Sequence, residues 1–379
     1  MILKKFDISI IGGGPSGSSA GILLSKRGYS VAIIEKKSFP REVLCGEFIS
    51  KEVVEFLKVN ILYEEFQGLK PNPITAFRFT CENGKELCSE LEFPAYGIKR
   101  SKLDNFLLNK AGVNGAEIFQ PAELKEIQKE TEGYLLKIKS GEQDEITLNS
   151  KIIIAAYGKQ NILDKKLGRS FHTQKSGLNG IKFHIDKVHF NSFDSKEIQV
   201  YTGRDIYCGL NAVDENIVTL CFLAKKNKSQ YSTKEILLEL SRENKKFSAL
   251  LKDDFFDYID KLPVYGTGNI YFGKRDIVNE GIFDIGDAAG VIAPLVGDGM
   301  GMAVQSASLL SEILVRNKLV QRKSGEEYEK EWRQMFLRRI SLAGIIQKSV
   351  LNNSFRIPCI NLVSLFPGVL SAIIKYTRG

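Results

Sequence analysis

The amino-acid sequence predicts an α/β fold that combines a parallel sheet, an inserted antiparallel sheet and a C-terminal helical segment. Three observations lead to this prediction. The first 35 residues have the order strand, glycine turn, helix, strand. Residues 181–223 contain short segments in which apolar and polar residues alternate, as in strands with one buried face. A later apolar run, "GIFDI", breaks into glycines at residue 286 and is followed by helical spacing.

The opening motif is "FDISIIGGGPSG", in which Gly12, Gly14 and Gly17 form the pattern G-x-G-x-x-G directly after an apolar strand. The next strand ends at Glu35, where a carboxylate can accept hydrogen bonds from ribose hydroxyls. A turn that only lets a helix pack closely is the alternative, but the complete strand, turn, helix and strand favour a Rossmann-like dinucleotide site. The predicted contacts are Gly12, Gly14, Pro15, Ser16, Gly17, Glu35 and Lys36.

The second glycine-rich stretch is "GDAAGVIAPLVGDGM", residues 286–300. A strand that breaks and becomes a helix leaves backbone N–H groups without partners, and such a row favours an anion or a partly negative ligand. Met300, Ala303, Val304 and Ala307 recur at helical spacing, so a helix is expected to begin at this turn. Close packing of that helix on the strand is the alternative.

Three motifs together resemble a known group of flavoproteins. "GGGPSGSSA", "FPREVLCGE" and "GDAAGVIAPLVGDGMGMA" are similar to the FAD-dependent group of geranylgeranyl reductases, aromatic hydroxylases and flavin-dependent halogenases. The resemblance covers most of residues 1–325 and implies a glutathione-reductase-like FAD-binding domain. It implies that Asp287 bonds the ribitol chain and that residues 297–301 present N–H groups to the flavin pyrimidine. The further cofactor contacts predicted are Arg41, Arg100, Gly286, Asp287, Pro294, Gly297, Gly299 and Met300.

Two segments depart from the patterns of that group. Tyr157-Gly158 stands where the hydroxylases carry Asp-Gly, so NAD(P)H, the expected electron donor, would dock differently or a partner would reduce the flavin. Around Tyr207 the chain has Gly209 and Asn211 where the reductases have bulky aromatic residues, which predicts a wider or differently shaped pocket. The halogenase element Trp-x-Trp-x-Ile-Pro is missing, and Trp332 lies in a late helix, so halogenation is disfavoured.

Candidate catalytic residues are few, because the chemistry is expected to belong to the flavin. Cys45 could tune the ring or simply pack, and Tyr207 is expected to line the substrate cavity. Glu47 could orient substrate or carry a proton, but an acid at the start of a helix is slightly favoured. Ser101 and Asp104 have the spacing of a capping box. The histidines, His172, His184 and His189, lack metal-ligand spacing, so no metal is expected.

The predicted domains are discontinuous. Residues 1–75, 100–170 and 270–325 would bind FAD, residues 76–99 and 171–269 would form the substrate domain, and residues 326–379 would be a helical region. The content of 43% hydrophobic residues is typical of a globular protein, and the +8 charge is scattered, so a nucleic-acid partner is not expected. No secretory signal precedes the first strand and the six cysteines have no regular spacing, which favours a cytoplasmic location.

The last apolar run, residues 356–379, contains two prolines and makes a poor membrane span. It would cap the cavity, dock on the core or touch a membrane surface, with docking favoured. The oligomeric state is left open by the sequence.

The predicted function is that of an FAD-dependent oxidoreductase acting on an apolar small molecule. A monooxygenase would hydroxylate or epoxidise the substrate with reduced flavin and oxygen. The alternatives are a reductase of prenyl or polyene double bonds and a flavin electron-transfer protein.

Overall fold

The computed structural model describes residues 2–141, 144–159, 164, 169, 177–228, 230–268 and 270–378. His172, one of the histidines considered above, lies outside the described residues. The strands and helices below are numbered in chain order.

The first sheet has the strand order β16-β17-β9-β1-β2-β6, and β8 and β7 extend it from β9. The pairs β17 with β9, β9 with β1, β1 with β2 and β2 with β6 are parallel. Its strands are β1 (Ile2–Ile11), β2 (Val31–Ile34), β6 (Glu117–Phe119), β7 (Ala122–Glu130), β8 (Gly133–Ser140), β9 (Asp144–Ala155), β16 (Val278–Asn279) and β17 (Ile282–Asp284).

The second sheet has the order β14-β10-β13-β12-β11-β4-β5-β3 and is antiparallel except where β11 pairs with β4. The prediction that the strand around Arg78 joins this sheet is therefore confirmed. Its strands are β3 (Phe48–Ile49), β4 (Asn72–Thr80), β5 (Glu86–Gly97), β10 (Leu178–Asp186), β11 (Glu197–Gly203), β12 (Ile206–Ala212), β13 (Ile217–Lys225) and β14 (Tyr265–Thr267). A separate pair joins β15 (Gly273–Lys274) to β18 (Gly290–Val291).

The helices cover the faces of both sheets. They are α1 (Pro15–Ser25), α2 (Lys51–Val59), α3 (Tyr63–Gln67), α4 (Arg100–Val113), α5 (Thr233–Glu243), α6 (Lys245–Leu250), α7 (Phe255–Ile259), α8 (Gly299–Arg316), α9 (Gln321–Leu351), α10 (Arg356–Ser364) and α11 (Pro367–Tyr376). One apolar core joins the first sheet to α1, α4, α8 and α9. Another lies between one face of the second sheet and α5, α6 and α7.

Three parallel strands of the first sheet end at one edge. The Ala156 N–H donates to the Ile11 carbonyl at 2.8 Å, and the Ile285 N–H donates to the Ala155 carbonyl at 3.0 Å. The turn after β1 leaves no room for a side chain at Gly17, because a Cβ there would lie 1.9 Å from the Gly12 carbonyl oxygen. Gly12 itself has a φ of +108°, which favours glycine. Ligands of parallel α/β sheets bind at such an edge.

Two local predictions were wrong. The alternation that begins at residue 181 predicts a strand that continues to His189. The strand β10 ends at Asp186 instead, and a 3₁₀ turn follows. Ser101 is not the N-cap of a capping box, because α4 already begins at Arg100. The Ser101 hydroxyl donates instead to Glu42 at 2.8 Å, and Asp104 accepts from the Arg100 guanidinium.

Among the described residues, no single helix is long and apolar enough to cross a membrane. One bent pair, Arg356–Ser364 with Gly368–Tyr376, passes the test of length and composition when the two helices are taken together.

We expect Gly17→Ala to lower the free energy of unfolding by about 1–3 kcal/mol and to reduce cofactor retention, because its Cβ would collide with the Gly12 backbone. Urea unfolding and the visible absorbance of the purified protein measure the two effects. Gly344→Ala is the control: this glycine lies within α9 with no atom near its Cβ position, so alanine should be neutral or stabilising. Equal stability of the two variants would contradict the tight packing of the turn.

Candidate functional site

A cavity of about 930 Å³ opens at the edge where the three parallel strands end and reaches the second sheet. Both glycine turns and the segment Leu44–Phe48 contribute to its wall. Among the residues that the sequence singled out, Gly12, Gly14, Pro15, Ser16, Glu35, Lys36, Arg41, Cys45, Glu47, Arg100, Tyr207, Asp287, Pro294, Gly297, Gly299 and Met300 line it.

Gly17 and Gly286 do not line the cavity, and neither has room for a Cβ. A Cβ on Gly286, whose φ is +60°, would lie 2.7 Å from the Ser16 hydroxyl oxygen. The two glycine turns, 270 residues apart in the chain, are therefore in direct contact. The Gly286 N–H donates to the Ser306 hydroxyl of α8 at 2.8 Å.

The first turn offers groups suited to a dinucleotide. The Glu35 carboxylate accepts from the N–H groups of Gly13 and Lys37 at 2.8 and 2.9 Å, which orients it at the end of β2. The Arg41 guanidinium lies beside it, and its buried Nη1 makes no hydrogen bond to any described residue. Nη1 also lies 3.5 Å from the buried Asp104 carboxylate, as an ion pair. A buried guanidinium donor that makes no hydrogen bond fits a phosphate oxygen, so Arg41 fits the diphosphate of FAD.

The second turn is shaped by a short 3₁₀ segment, Pro294–Val296, and by Gly297 in the left-handed conformation. Helix α8 then begins at Gly299, and the positive end of its dipole meets the cavity wall. Asp298 is fully buried there between Ser50 and the Arg339 guanidinium. Burial and the nearby Glu52 carboxylate raise the pKa of Asp298 to about 7, although Arg339 opposes the increase.

Glu47 is the most extensively bonded acid of the site. It is fully buried, and its carboxylate accepts from Lys182 Nζ at 2.9 Å, His184 Nε2 at 2.6 Å and the Thr219 hydroxyl at 2.5 Å. The Arg100 N–H adds a fourth bond at 2.9 Å. The expectation of an acid at the start of a helix is thus wrong, because α2 begins only at Lys51 and Glu47 turns toward the second sheet.

The charge of Glu47 is maintained by these partners. Burial alone would raise its pKa, but the hydrogen bond from His184 and the charge of Lys182 lower the pKa of Glu47 to about 2. Burial opposes the charge of Lys182, yet Glu47 and Glu42 raise the pKa of this lysine. Glu42, Glu47 and His184 are close enough to hold a metal ion, but the Lys182 ammonium lies 2.7 Å from Glu42 and 2.9 Å from Glu47 and already supplies the positive charge.

The residues of the second sheet that bond Glu47 lie on the same face of that sheet as the residues that line the cavity. In the sheet register Lys182 pairs with Cys221, and Cys221 pairs with Gly209. Since residues paired in register point to the same side of a sheet, the polar patch continues into the wall formed by Gly209 and Tyr207. A Cβ on Gly209 would meet no atom closer than 3.8 Å. The wall is therefore open at this glycine.

Tyr207 is buried and neutral. Its hydroxyl donates to Gln347 Oε1 of α9 at 3.2 Å, and the same oxygen accepts from the Leu295 N–H at 3.1 Å. Burial raises the pKa of Tyr207 well above its ordinary value. Tyr207 thus connects the sheet wall to the segment before α8.

Tyr157, which stands where an aspartate was expected, lies in a buried polar cluster. Its hydroxyl donates to Asp164 and accepts from Arg169 at 2.6 Å, and Arg169 also contacts Asp284 at 2.9 Å. Burial raises the pKa of Asp284 to about 8 despite the opposing charge of Arg169. The acids of this region are therefore Asp164 and, from β17, Asp284, and neither comes from the strand before Tyr157.

Comparison with protein-family models gives one match, described as FAD binding domain, over residues 5–331. The chain belongs to this FAD binding domain family. The match includes both glycine turns and the second sheet. The chain is accordingly an FAD-dependent enzyme of the group of halogenases, reductases and monooxygenases.

Its relatives have several activities. It is 23% identical to a 1H-pyrrole-2-carbonyl-(peptidyl-carrier protein) chlorinase from Pseudomonas fluorescens, over 86% of this chain and 79% of the relative. It is 26% identical to digeranylgeranylglycerophospholipid reductase 3 from Methanosphaera stadtmanae, over 83% and 79%. These relatives therefore include a halogenase and a reductase.

Two solved structures share the fold. The flavin-dependent brominase Bmp2 has a TM-score of 0.79 at 18% identity, covering 99% of this chain and 93% of that one. PqsL from Pseudomonas aeruginosa, a probable FAD-dependent monooxygenase, has a TM-score of 0.73 at 14% identity, covering 94% and 99%. The predicted α/β fold class is confirmed.

Several residues of the site were not predicted. Lys182, His184 and Thr219 reach Glu47 from strands more than 130 residues later in the chain. The alternation in "GIKFHID" places Lys182 and His184 on one face, which was the available signal. Gln347 and Arg339 lie within a long amphipathic helix, where nothing distinguishes them from other polar residues.

We expect Glu47→Gln to lower the free energy of unfolding at pH 7 by about 3–5 kcal/mol, because Lys182 stays buried without its charged partner. Since the pKa of Glu47 falls from 4.5 to about 2 on folding, its stabilising contribution is complete above pH 4.5 and disappears as the pH falls through about 2. The difference between variant and parent should shrink over that interval in urea titrations. Glu55→Gln, at an exposed position of α2, is the control, and equal losses in both variants would refute the proposed ion pair.

Proposed function

We propose that the protein is an FAD-dependent monooxygenase that hydroxylates or epoxidises an apolar small molecule by means of reduced flavin and oxygen. The observation that carries this proposal is the single cavity that joins the first glycine turn to the second sheet. A cofactor whose diphosphate lies at the first glycine turn would place its reactive ring near the second turn. The part of the cavity that the cofactor does not fill would then lie beside that ring.

The remaining volume has an apolar wall. Leu44, Val200, Leu223, Ile270 and Leu295 line the cavity near the second sheet, and they belong to one apolar cluster. Binding pockets of this composition hold apolar ligands and orient them through a few polar groups. We therefore assign an apolar substrate to this part of the cavity, called the chamber below.

The residues that would hold FAD are those described above. FAD, when bound, supplies the redox chemistry. Arg41 would bind a phosphate and Glu35 would accept from the ribose hydroxyls. The start of α8 would direct its N–H groups and its dipole toward the pyrimidine side, which favours negative charge there.

Three ionisable groups on the cavity wall are poorly suited to the proton transfer that double-bond reduction needs. A reductase must supply a proton together with the hydride, and a general acid works best when its pKa lies near the working pH. Glu47 has a pKa of about 2 and is already ionised, whereas burial raises the pKa of Cys221 to about 12 and that of Tyr207 even further. These three groups are poor proton donors at neutral pH, and Asp298, whose pKa burial raises to about 7, is the acid of the cavity wall with a suitable pKa.

The electron donor in this proposal is NAD(P)H or a reducing partner protein. The Tyr157 cluster changes the region where the related hydroxylases carry Asp-Gly, because its hydroxyl is committed to Asp164 and Arg169. NAD(P)H would therefore dock in another way than in those enzymes. The cytoplasmic location is part of the same proposal.

The second candidate is a reductase of prenyl or polyene double bonds. It is supported by the 26% identity to digeranylgeranylglycerophospholipid reductase 3 over 83% of this chain. The reductase would use the same apolar wall, with a proton supplied from outside the three groups named above.

We expect the purified yellow protein, reduced by NADH or NADPH, to consume oxygen faster in the presence of an apolar aromatic substrate than without it. Stopped-flow absorbance and an oxygen electrode measure flavin reoxidation and oxygen use. Anaerobic reoxidation by geranylgeraniol would establish the reductase instead. Reoxidation only by a protein acceptor would establish an electron-transfer protein.

We expect Gly209→Trp to fill the chamber and lower kcat/KM by roughly tenfold or more, while the FAD content stays unchanged. The matched control is Gly209→Ala, because the nearest atoms to its Cβ lie 3.8 Å away and a methyl group fits. Titration of the apo form with FAD, and of the FAD-loaded form with substrate, distinguishes weaker cofactor binding from weaker substrate binding. Unaltered kinetics in the tryptophan variant would place the substrate elsewhere.

A further inference from the structure

The two C-terminal helices carry apolar side chains on the side that faces solvent. This outer apolar face is defined by side chains that are between 37% and 72% exposed: Phe355, Leu362, Leu365, Phe366, Val369 and Tyr376. In α11 and the residue before it, Phe366, Val369 and Tyr376 have helical spacing and lie on one side. The exposed apolar residues of α10 and α11 therefore follow helical spacing and are not scattered at random.

The opposite side of the same helices packs on the protein. Ile360 of α10 and Ile374 of α11 are buried, and the Ser371 hydroxyl lies 2.9 Å from that of Ser89 on β5. The helices thus have an inner apolar side that docks on the core and an outer one that does not. The docking predicted from the sequence accounts only for the inner side.

The exposed charges of the C-terminal helices are positive. Residues 332–379 contain seven lysines and arginines and no aspartate or glutamate, but Arg339 and Arg356 are buried and paired with Asp298 and Glu82. Lys348 and Lys375 are exposed. On the neighbouring strand β5, Ser89 and Phe93 face α11, so Glu90 and Glu92 point away from it by the alternation of a strand.

We propose that the outer apolar face binds the surface of a lipid bilayer that contains anionic lipids. Apolar side chains of an amphipathic helix enter the boundary between headgroups and acyl chains, while lysines and arginines attract anionic headgroups. Helices of 9 and 10 residues are about 15 Å long at most, half the hydrocarbon thickness of about 30 Å. They would therefore lie in the interface.

The inner side of α10 connects this surface to the chamber. Ile357 and Ile360 of α10 belong to the same apolar cluster as Val200, Tyr207 and Leu223. If the proposed function holds, α10 would lie between an apolar substrate dissolved in the bilayer and the chamber. Membrane binding itself does not depend on that function.

The test uses the full chain with FAD and sedimentation with vesicles of phosphatidylcholine alone or of an equal mixture of phosphatidylcholine and phosphatidylglycerol. We expect preferential binding to the mixed vesicles. Leu365→Glu should lower the partition coefficient at least about tenfold, and Lys375→Gln should lower it about fivefold. Val59→Glu is the matched control, because Val59 is equally apolar and exposed on α2, far along the chain from the C-terminal helices. Flavin absorbance verifies that each variant is folded.

The proposal would be overturned if the parent protein failed to sediment with the mixed vesicles or if Leu365→Glu and Val59→Glu had the same effect. Light scattering gives a further outcome: a dimer that Leu365→Glu dissociates, with no vesicle binding, would show that a second copy covers the face. Because vesicle binding is measured without turnover, loss of the proposed monooxygenase activity would leave this result unaffected.

Discussion

The contact between the two glycine turns determines the rest of the site. A methyl group on Gly286 would lie 2.7 Å from the Ser16 hydroxyl, and one on Gly17 would lie 1.9 Å from the Gly12 carbonyl. The strands before both turns therefore have to end at the same edge, with β9 between them. This constraint places the start of α1 and the start of α8 on one cavity, so two positive helix ends face the same ligand.

Glu47 provides the corresponding constraint between the two sheets. It lies in the left-handed backbone region, with a φ of 60°, a conformation that is unfavourable for a residue with a side chain. Its bonds to Lys182, His184 and Thr219 hold it there. Because Cys45 and Gly46 immediately precede it and line the cavity, the second sheet fixes the position of the wall beside the expected flavin ring.

The parts of the site that follow from local sequence were predictable. Gly12, Gly14 and Gly17 are specified by a turn whose strand and helix are adjacent in the chain, and the second turn has the same property. The role of Glu47 was not predictable, because its burial depends on partners that β10 and β13 bring from more than 130 residues away. Ser101 illustrates the opposite error: its spacing suited a cap, but Glu42, in the segment after β2, accepts from its hydroxyl.

The C-terminal helices also belong to the flavin side of the molecule. Arg339 of α9 bonds Asp298, and Arg378, which follows α11, donates to the Val296 carbonyl at 3.0 Å. Both contacts are made within four residues of the start of α8. A ligand on the outer apolar face can influence the flavin only through differential binding to two arrangements of such contacts. Arg378 lies two residues beyond Tyr376 of that face and also packs against Phe48 at 5.5 Å. It joins the end of α11 to the segment before α8.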